Sequence, residues 1–158
     1  MDSDELYKIL GRITYSYTRI DFLISSIATD FGIVATPYEF YSRTKFEKKI
    51  ENLKTKVNEL ADEEIKADFI EWLDKLDGLR QDRNTVIHSL ILKNSADNNE
   101  YRLFNYRKNG DQVISEIHEY KTDDFKRVDQ ELIDAHNYGY RLWEIIKKNQ
   151  IRDSDLTF

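Results

Sequence analysis

The chain has 158 residues and a formal net charge of −6, which fits a single domain with a sizeable core. That charge excludes a protein that coats nucleic acid nonspecifically, because such affinity comes from clustered Lys and Arg neutralising phosphates. Hydrophobic residues make up 40% and charged residues 34% of a chain without cysteine, so it reads as globular, with no disulfide framework, thiol nucleophile or thiolate metal site, and it suits a reducing compartment.

One Pro and five Gly leave room for long helices. The N-terminal "MDSDELYKIL" is acidic where a signal peptide is basic and then apolar, and no run approaches the roughly 18 apolar residues of a membrane span. The expectation is a cytoplasmic protein, neither secreted nor membrane-inserted.

From Asp4 to Phe31 the apolar positions Leu6, Ile9, Ile13, Tyr17, Ile20, Ile24, Ile27 and Phe31 step by three or four, predicting one long amphipathic helix that Gly32 ends. "GIVATPYEFYSRT" holds the only Pro and reads as a connection with aromatic anchors. A second helix is predicted from near Thr44, burying Phe46, Ile50, Leu53, Val57 and Leu60. A third is predicted from Asp62, its cap, to about Ser89, with Gly78 inside it at a small cost.

After His88 the pattern changes. "SLILKN", "EYRLFNYR" and "QVISEIHEY" are rich in β-branched and aromatic residues, and Asn109-Gly110 is a strong hairpin signal, so a two- or three-stranded meander is predicted over about 90–120, with "NSADNNE" as an exposed loop. Thr122 or Asp123 then caps a fourth long helix carrying Phe125, Val128, Leu132, Ala135, Leu142, Trp143 and Ile146 in register. The predicted fold is mainly α: a four- to five-helix bundle over residues 1–150 as one domain, a small β insertion before the last helix, and a fraying polar tail over 151–158.

The third helix lays down Phe69, Trp72, Leu73, Leu76 and Leu79 and then continues with Arg80, Arg83, Asn84 and His88 on nearly the same side. At about 100° per residue Arg83 falls at the centre of the apolar arc, Arg80 and Asn84 near its edge, and His88 about 40° beyond Asn84. A guanidinium taken out of water costs several kcal/mol (an order of magnitude) unless it is paired and hydrogen-bonded. Arg83 either pairs with an inward acid such as Asp77 or Asp21, or lays its stem along the core with its head in solvent, or belongs to a site. The trio joins a fixed cation, an amide and an imidazole on neighbouring positions, a set suited to a phosphodiester.

Other site chemistry is sparse. His118 falls in the meander and His136 on the shoulder of the last helix's stripe, where a lone His is usually structural; no HExxH, paired metal-ligand His or Gly-rich phosphate loop appears, so neither a metal nor a cofactor is predicted. Tyr101, Tyr106, Arg102, Arg107 and Lys108 in the meander are candidates for stacking and phosphate contacts.

"RNTVIH", residues 83–88, resembles the R-x4-6-H signature of the HEPN superfamily, in the form where a polar residue follows the Arg, and its place late in a long helix strengthens the match. The resemblance implies a metal-independent endoribonuclease, often of toxin–antitoxin or phage-defence systems, acting as a homodimer whose two motifs meet in one cleft. Arg83 would hold the scissile phosphate, His88 would move a proton as the ribose 2′-hydroxyl attacks, and Asn84 would orient either. Arg80, Asp21, Lys93 and Arg102 complete the candidate substrate contacts, with Asp21 as an acidic partner for Arg83 or His88. Some toxins of the superfamily carry a Tyr two residues after the His, modified by a partner nucleotidyltransferase; here Leu90 stands there, so that mode of neutralisation is not expected. The alternative is a noncatalytic HEPN-like dimer that holds a nucleotide or a partner protein, such as an antitoxin, in the same cleft.

Overall fold

The structure, a computed structural model, describes residues 1–60, 62–94, 97, 99–109 and 112–155, with the side chains of 107–109 and 149–155 left aside. It is mainly α, with a small antiparallel sheet inserted before the last helix. The order is α1 Ser3–Asp30, α2 Pro37–Arg43, α3 Phe46–Val57, α4 Glu63–His88, β1 Leu90–Lys93, β2 Glu100–Asn109, β3 Gln112–Lys121 and α5 Thr122–Asp155.

Element ends follow local chemistry. Gly32, at φ 69°, takes the left-handed conformation that closes α1. The stretch expected to be an irregular connection contains a helix instead: Pro37 opens α2 with its φ already helical, and the Thr36 hydroxyl accepts from the Glu39 N–H at 3.4 Å, an N-cap with Pro at the first position. Asp62 caps α4 as predicted, its carboxylate accepting from the N–H groups of Glu64 and Ile65 at 3.1 Å each. The Lys121 N–H donates to Asp124 at 2.7 Å, so β3 passes into α5 with no intervening loop. The helical backbone of α5 reaches Asp155, beyond the expected start of the tail at 151, because neither Pro nor Gly interrupts 151–155.

The sheet has the order β1-β2-β3 with β2 in the centre. Leu90 pairs with Phe104, and Phe104 in turn with Ile117. The predicted Asn109-Gly110 turn falls on Gly110, outside the described residues, as do parts of the "NSADNNE" loop.

The chain divides into two compact units. One comprises Met1–Tyr17 and Gly78–Leu132, the other Thr18–Asp77 and Ile133–Phe158, so the boundary falls within α1, α4 and α5. In the first, Ile9, Ile13, Leu79, Val86, Leu103, Phe125, Val128 and Leu132 are buried, and Tyr101 meets Phe125 edge-on at 5.3 Å. In the second, Ile20, Ile24, Ile27, Phe40, Leu53, Phe69, Trp72 and Leu73 are buried.

Two features of the second unit are energetically sharp. The buried Trp72 indole donates its N–H to the Ala135 carbonyl at 2.8 Å, satisfying a group that is costly to leave unpaired. Its ring lies so close to Gly139 that an added Cβ would sit 2.1 Å from an indole carbon, so only glycine fits. The fully buried Lys49 ammonium donates to Asp21 at 2.5 Å and to the Tyr41 carbonyl at 3.1 Å, and lies 5.2 Å from the Tyr41 ring centroid. This helix, whose predicted buried side was apolar, thus also carries a buried charge, tolerable only because it is paired and hydrogen-bonded.

Three positions give stability predictions. Gly78 is exposed, with open space where a Cβ would stand, so Gly78→Ala is expected to stabilise the protein by about 0.5–1 kcal/mol. Gly139→Ala is expected to destabilise it by about 1–3 kcal/mol, since the indole must move; urea-unfolding midpoints of the two variants should shift in opposite directions. Asp21→Ala is expected to cost about 3–5 kcal/mol by stranding the Lys49 charge, with most of the loss recovered in the Asp21→Leu, Lys49→Met double variant by the same measurement.

Candidate functional site

The last three turns of α4 in the first unit carry the candidate chemistry. Leu79 and Val86 are buried there, and Arg83 lies between them at the i+4 and i−3 spacings that put all three on one face. The sequence predicts an apolar residue at that position; the structure holds a half-buried guanidinium, its carbon 4.8 Å from the centroid of the Tyr17 ring of α1. The ring takes the place a carboxylate would have, offering its π-face to the cation.

Arg83 Nη1 donates to the Asn84 side-chain oxygen at 2.9 Å and lies 3.1 Å from Nε2 of His88. Arginine has no acceptor, so the imidazole nitrogen must accept, which places the His88 proton on Nδ1 and leaves the Nε2 lone pair directed at the guanidinium. Arg83 Nε is buried without a hydrogen-bond partner. The partners of the guanidinium are an amide oxygen, a neutral imidazole and an aromatic face, and none of the three cancels its charge. His88 itself is exposed.

The structure therefore brings together Arg83, Asn84 and His88 and adds Tyr17, which the sequence shows only as one more member of the first helix's stripe. Nothing in spacing alone distinguishes a tyrosine that seals a core from one that lies under an arginine. Arg80 is half-buried on the same segment of α4 and has partners of its own.

The other candidates have separate engagements. Asp21 belongs to the second unit, where Lys49 takes its carboxylate. Lys93 stands at the far end of β1, five residues or roughly 15 Å of extended chain beyond His88, and its ammonium donates to the Met1 carbonyl at 3.0 Å. Arg102 is exposed on β2 with Glu119 at 3.9 Å, a contact of little energy.

The remaining histidines sit elsewhere. His118 is half-buried on β3, its Nε2 3.9 Å from Glu116. In the second unit burial pushes His136 below the ordinary histidine range, opposed by a side-chain hydrogen bond with Asn137 and aided by the Arg19 charge. That unit also holds an apolar groove of about 530 Å³ lined by Phe22, Leu23, Tyr41, His136, Tyr140 and Trp143. Among the described residues no cluster of three or more His, Asp or Glu is placed to hold a metal ion, and no helix is long and apolar enough to cross a membrane.

Compared with family models, with curated proteins and with solved structures, the chain matches none. The functional reading accordingly rests on the side chains themselves.

Because Arg83 occupies a core position without a neutralising acid among the partners just named, apolar replacement should improve packing. Arg83→Leu is expected to leave stability unchanged or raise it by up to about 1 kcal/mol, read as the urea midpoint, and His88→Ala to change it by less than about 0.5 kcal/mol, as for other exposed positions. A loss of several kcal/mol in Arg83→Leu would instead mark the guanidinium as a structural pin.

Proposed function

We propose that the chain is a metal-independent endoribonuclease of the HEPN type, acting as a homodimer on RNA. The observation that carries this reading is the 3.1 Å approach of Arg83 Nη1 to His88 Nε2, which sets a fixed cation beside a basic nitrogen at a partly exposed helix end.

A phosphodiester entering between them finds both groups it needs. A nonbridging phosphate oxygen takes the guanidinium N–H groups, which carry the negative charge that grows as the phosphorus becomes five-coordinate. Nε2 of His88 accepts the proton of the 2′-hydroxyl as that oxygen attacks phosphorus. The P–O5′ bond breaks, the departing oxygen takes up a proton from solvent, and a 2′,3′-cyclic phosphate and a 5′-hydroxyl remain. Asn84, holding Nη1 through its amide oxygen, and Tyr17, lying under the guanidinium plane, keep the cation in place while the phosphate turns over. A homodimer that joins two such helix ends would partly desolvate Arg83 and strengthen its hold on phosphate. In the cell such an enzyme fits a toxin or phage-defence effector with an antitoxin or other protein partner.

The second reading is the noncatalytic module; what favours it is not the expected cleft at Arg83 and His88 but an aromatic-lined groove of the second unit, with the size and apolar character of a ligand pocket. It predicts saturable heat on titration with a nucleotide or partner and no RNA cleavage.

The purified chain is expected to cleave single-stranded RNA in excess EDTA, leaving cyclic phosphate ends visible by mass spectrometry. His88→Ala is expected to lower kcat by about 10²- to 10⁴-fold with an unchanged melting curve. Cleavage that disappears on chelation, or persists undiminished in His88→Ala, would refute the nuclease reading.

A further inference from the structure

The three-stranded sheet has one face turned to the helices of its unit and one turned outward. Strand alternation assigns them: Tyr101 and Leu103 of β2 are buried, so Arg102, Phe104 and Tyr106 project from the other side. Pairing sets Leu90, Phe104 and Ile117 side by side across the three strands. Leu90, Tyr106 and Ile117 are 56%, 60% and 59% exposed, with Phe104 half-buried between Leu90 and Ile117, so apolar side chains adjoin one another on this outward face.

The register also locates this face relative to the catalytic trio. β1 opens at Leu90, two residues after His88, and Leu90 pairs with Phe104. β2 continues past that pair to Asn109, so the β2–β3 ribbon extends beyond the start of β1 at the end of the sheet where α4 arrives. Tyr106 stands two residues past Phe104 in that direction, as His88 stands two residues before Leu90. The outward rings therefore begin at the same end of the sheet as the imidazole.

We infer that the outward face of the sheet is the RNA platform of this site, with Phe104 and Tyr106 stacking on successive unpaired bases beside the phosphate held at Arg83. The inference rests on the nuclease reading and supplies something that reading lacks. A chain with a net charge of −6 gains little affinity for RNA from phosphate neutralisation, and stacking on aromatic rings is the other general source, tolerant of sequence because every base has a π-face. The two rings are about 7 Å apart along one strand, with Arg102 a further two residues along on the same side. Leu90 and Ile117 flank Phe104 and support its ring from both neighbouring strands.

The test uses the full chain carrying His88→Ala, so that RNA is bound without being cut, with anisotropy of a fluorescein-labelled, unstructured single-stranded RNA as the readout. Tyr106→Leu and Phe104→Leu, each added to that background, keep apolar bulk but remove the π-face; each is expected to weaken binding roughly 5-fold or more. Melting curves identify any variant that has lost its fold, and the largely exposed Tyr106 is the decisive position. The affinity of the His88→Ala chain is also expected to fall only shallowly with added salt. Binding of the Tyr106→Leu variant within twofold of its parent overturns the platform, and His88-dependent cleavage alongside that result would sink the platform alone. Binding that depends on Tyr106 in a chain that never cuts RNA supports the platform while removing the nuclease. If Tyr106→Leu weakens self-association and leaves RNA binding intact, the face is an interface between copies and the platform is wrong.

Discussion

One guanidinium in a leucine's place organises what is distinctive about this chain. Between Leu79 and Val86, α4 has only one face to bury, and Arg83 stands on it. Placing a cation there forfeits the hydrophobic gain of a buried aliphatic side chain, about 1.5–3 kcal/mol, and demands partners for every N–H drawn out of water. Its partners are Asn84, the next residue, His88, five residues on, and the Tyr17 ring of α1, while Nε stays buried without a hydrogen-bond partner. A guanidinium can only donate, so the His88 nitrogen facing it is the acceptor of that contact.

Lys49 is a cation far more fully drawn out of water, and its surroundings contrast with those of the half-buried Arg83. Lys49 is enclosed more completely than Arg83, and Asp21 neutralises it at 2.5 Å. Its field is spent within the unit, as expected of an ion pair that fixes the junction of three segments. Arg83 takes neutral partners and an aromatic face, so its field is available to a ligand. The two cations thus differ in the groups that surround them as well as in their burial.

His88 is the last residue of α4, and Leu90 already belongs to the sheet. The trio therefore occupies a helix end that opens directly onto strands, where backbone changes from a cylinder to a broad surface. Such a junction exposes the imidazole while the preceding turn remains anchored by Val86. Arg83, Asn84 and His88 are thus joined directly to β1 and, through its pairing, to β2.

Much of this was legible from residue order. The long helices, the Asp62 cap, the β insertion and the grouping of Arg83, Asn84 and His88 all follow from periodicity, capping preference and the fixed 100° step of a helix, which are local rules. The helix at Pro37–Arg43 was hidden because a lone proline among aromatics signals a break unless Thr36 is seen to be a cap and Pro37 a first-turn residue. Tyr17 beneath Arg83, Asp21 joined to Lys49 and Trp72 against Gly139 join residues 66, 28 and 67 positions apart in the numbering of the chain. No local rule reaches across such separations. Sequence alone determined which residues could share a helix face; only tertiary packing decided which aromatic ring, carboxylate or glycine came to stand opposite each one, because that choice is made by space filling and charge pairing between segments distant along the backbone.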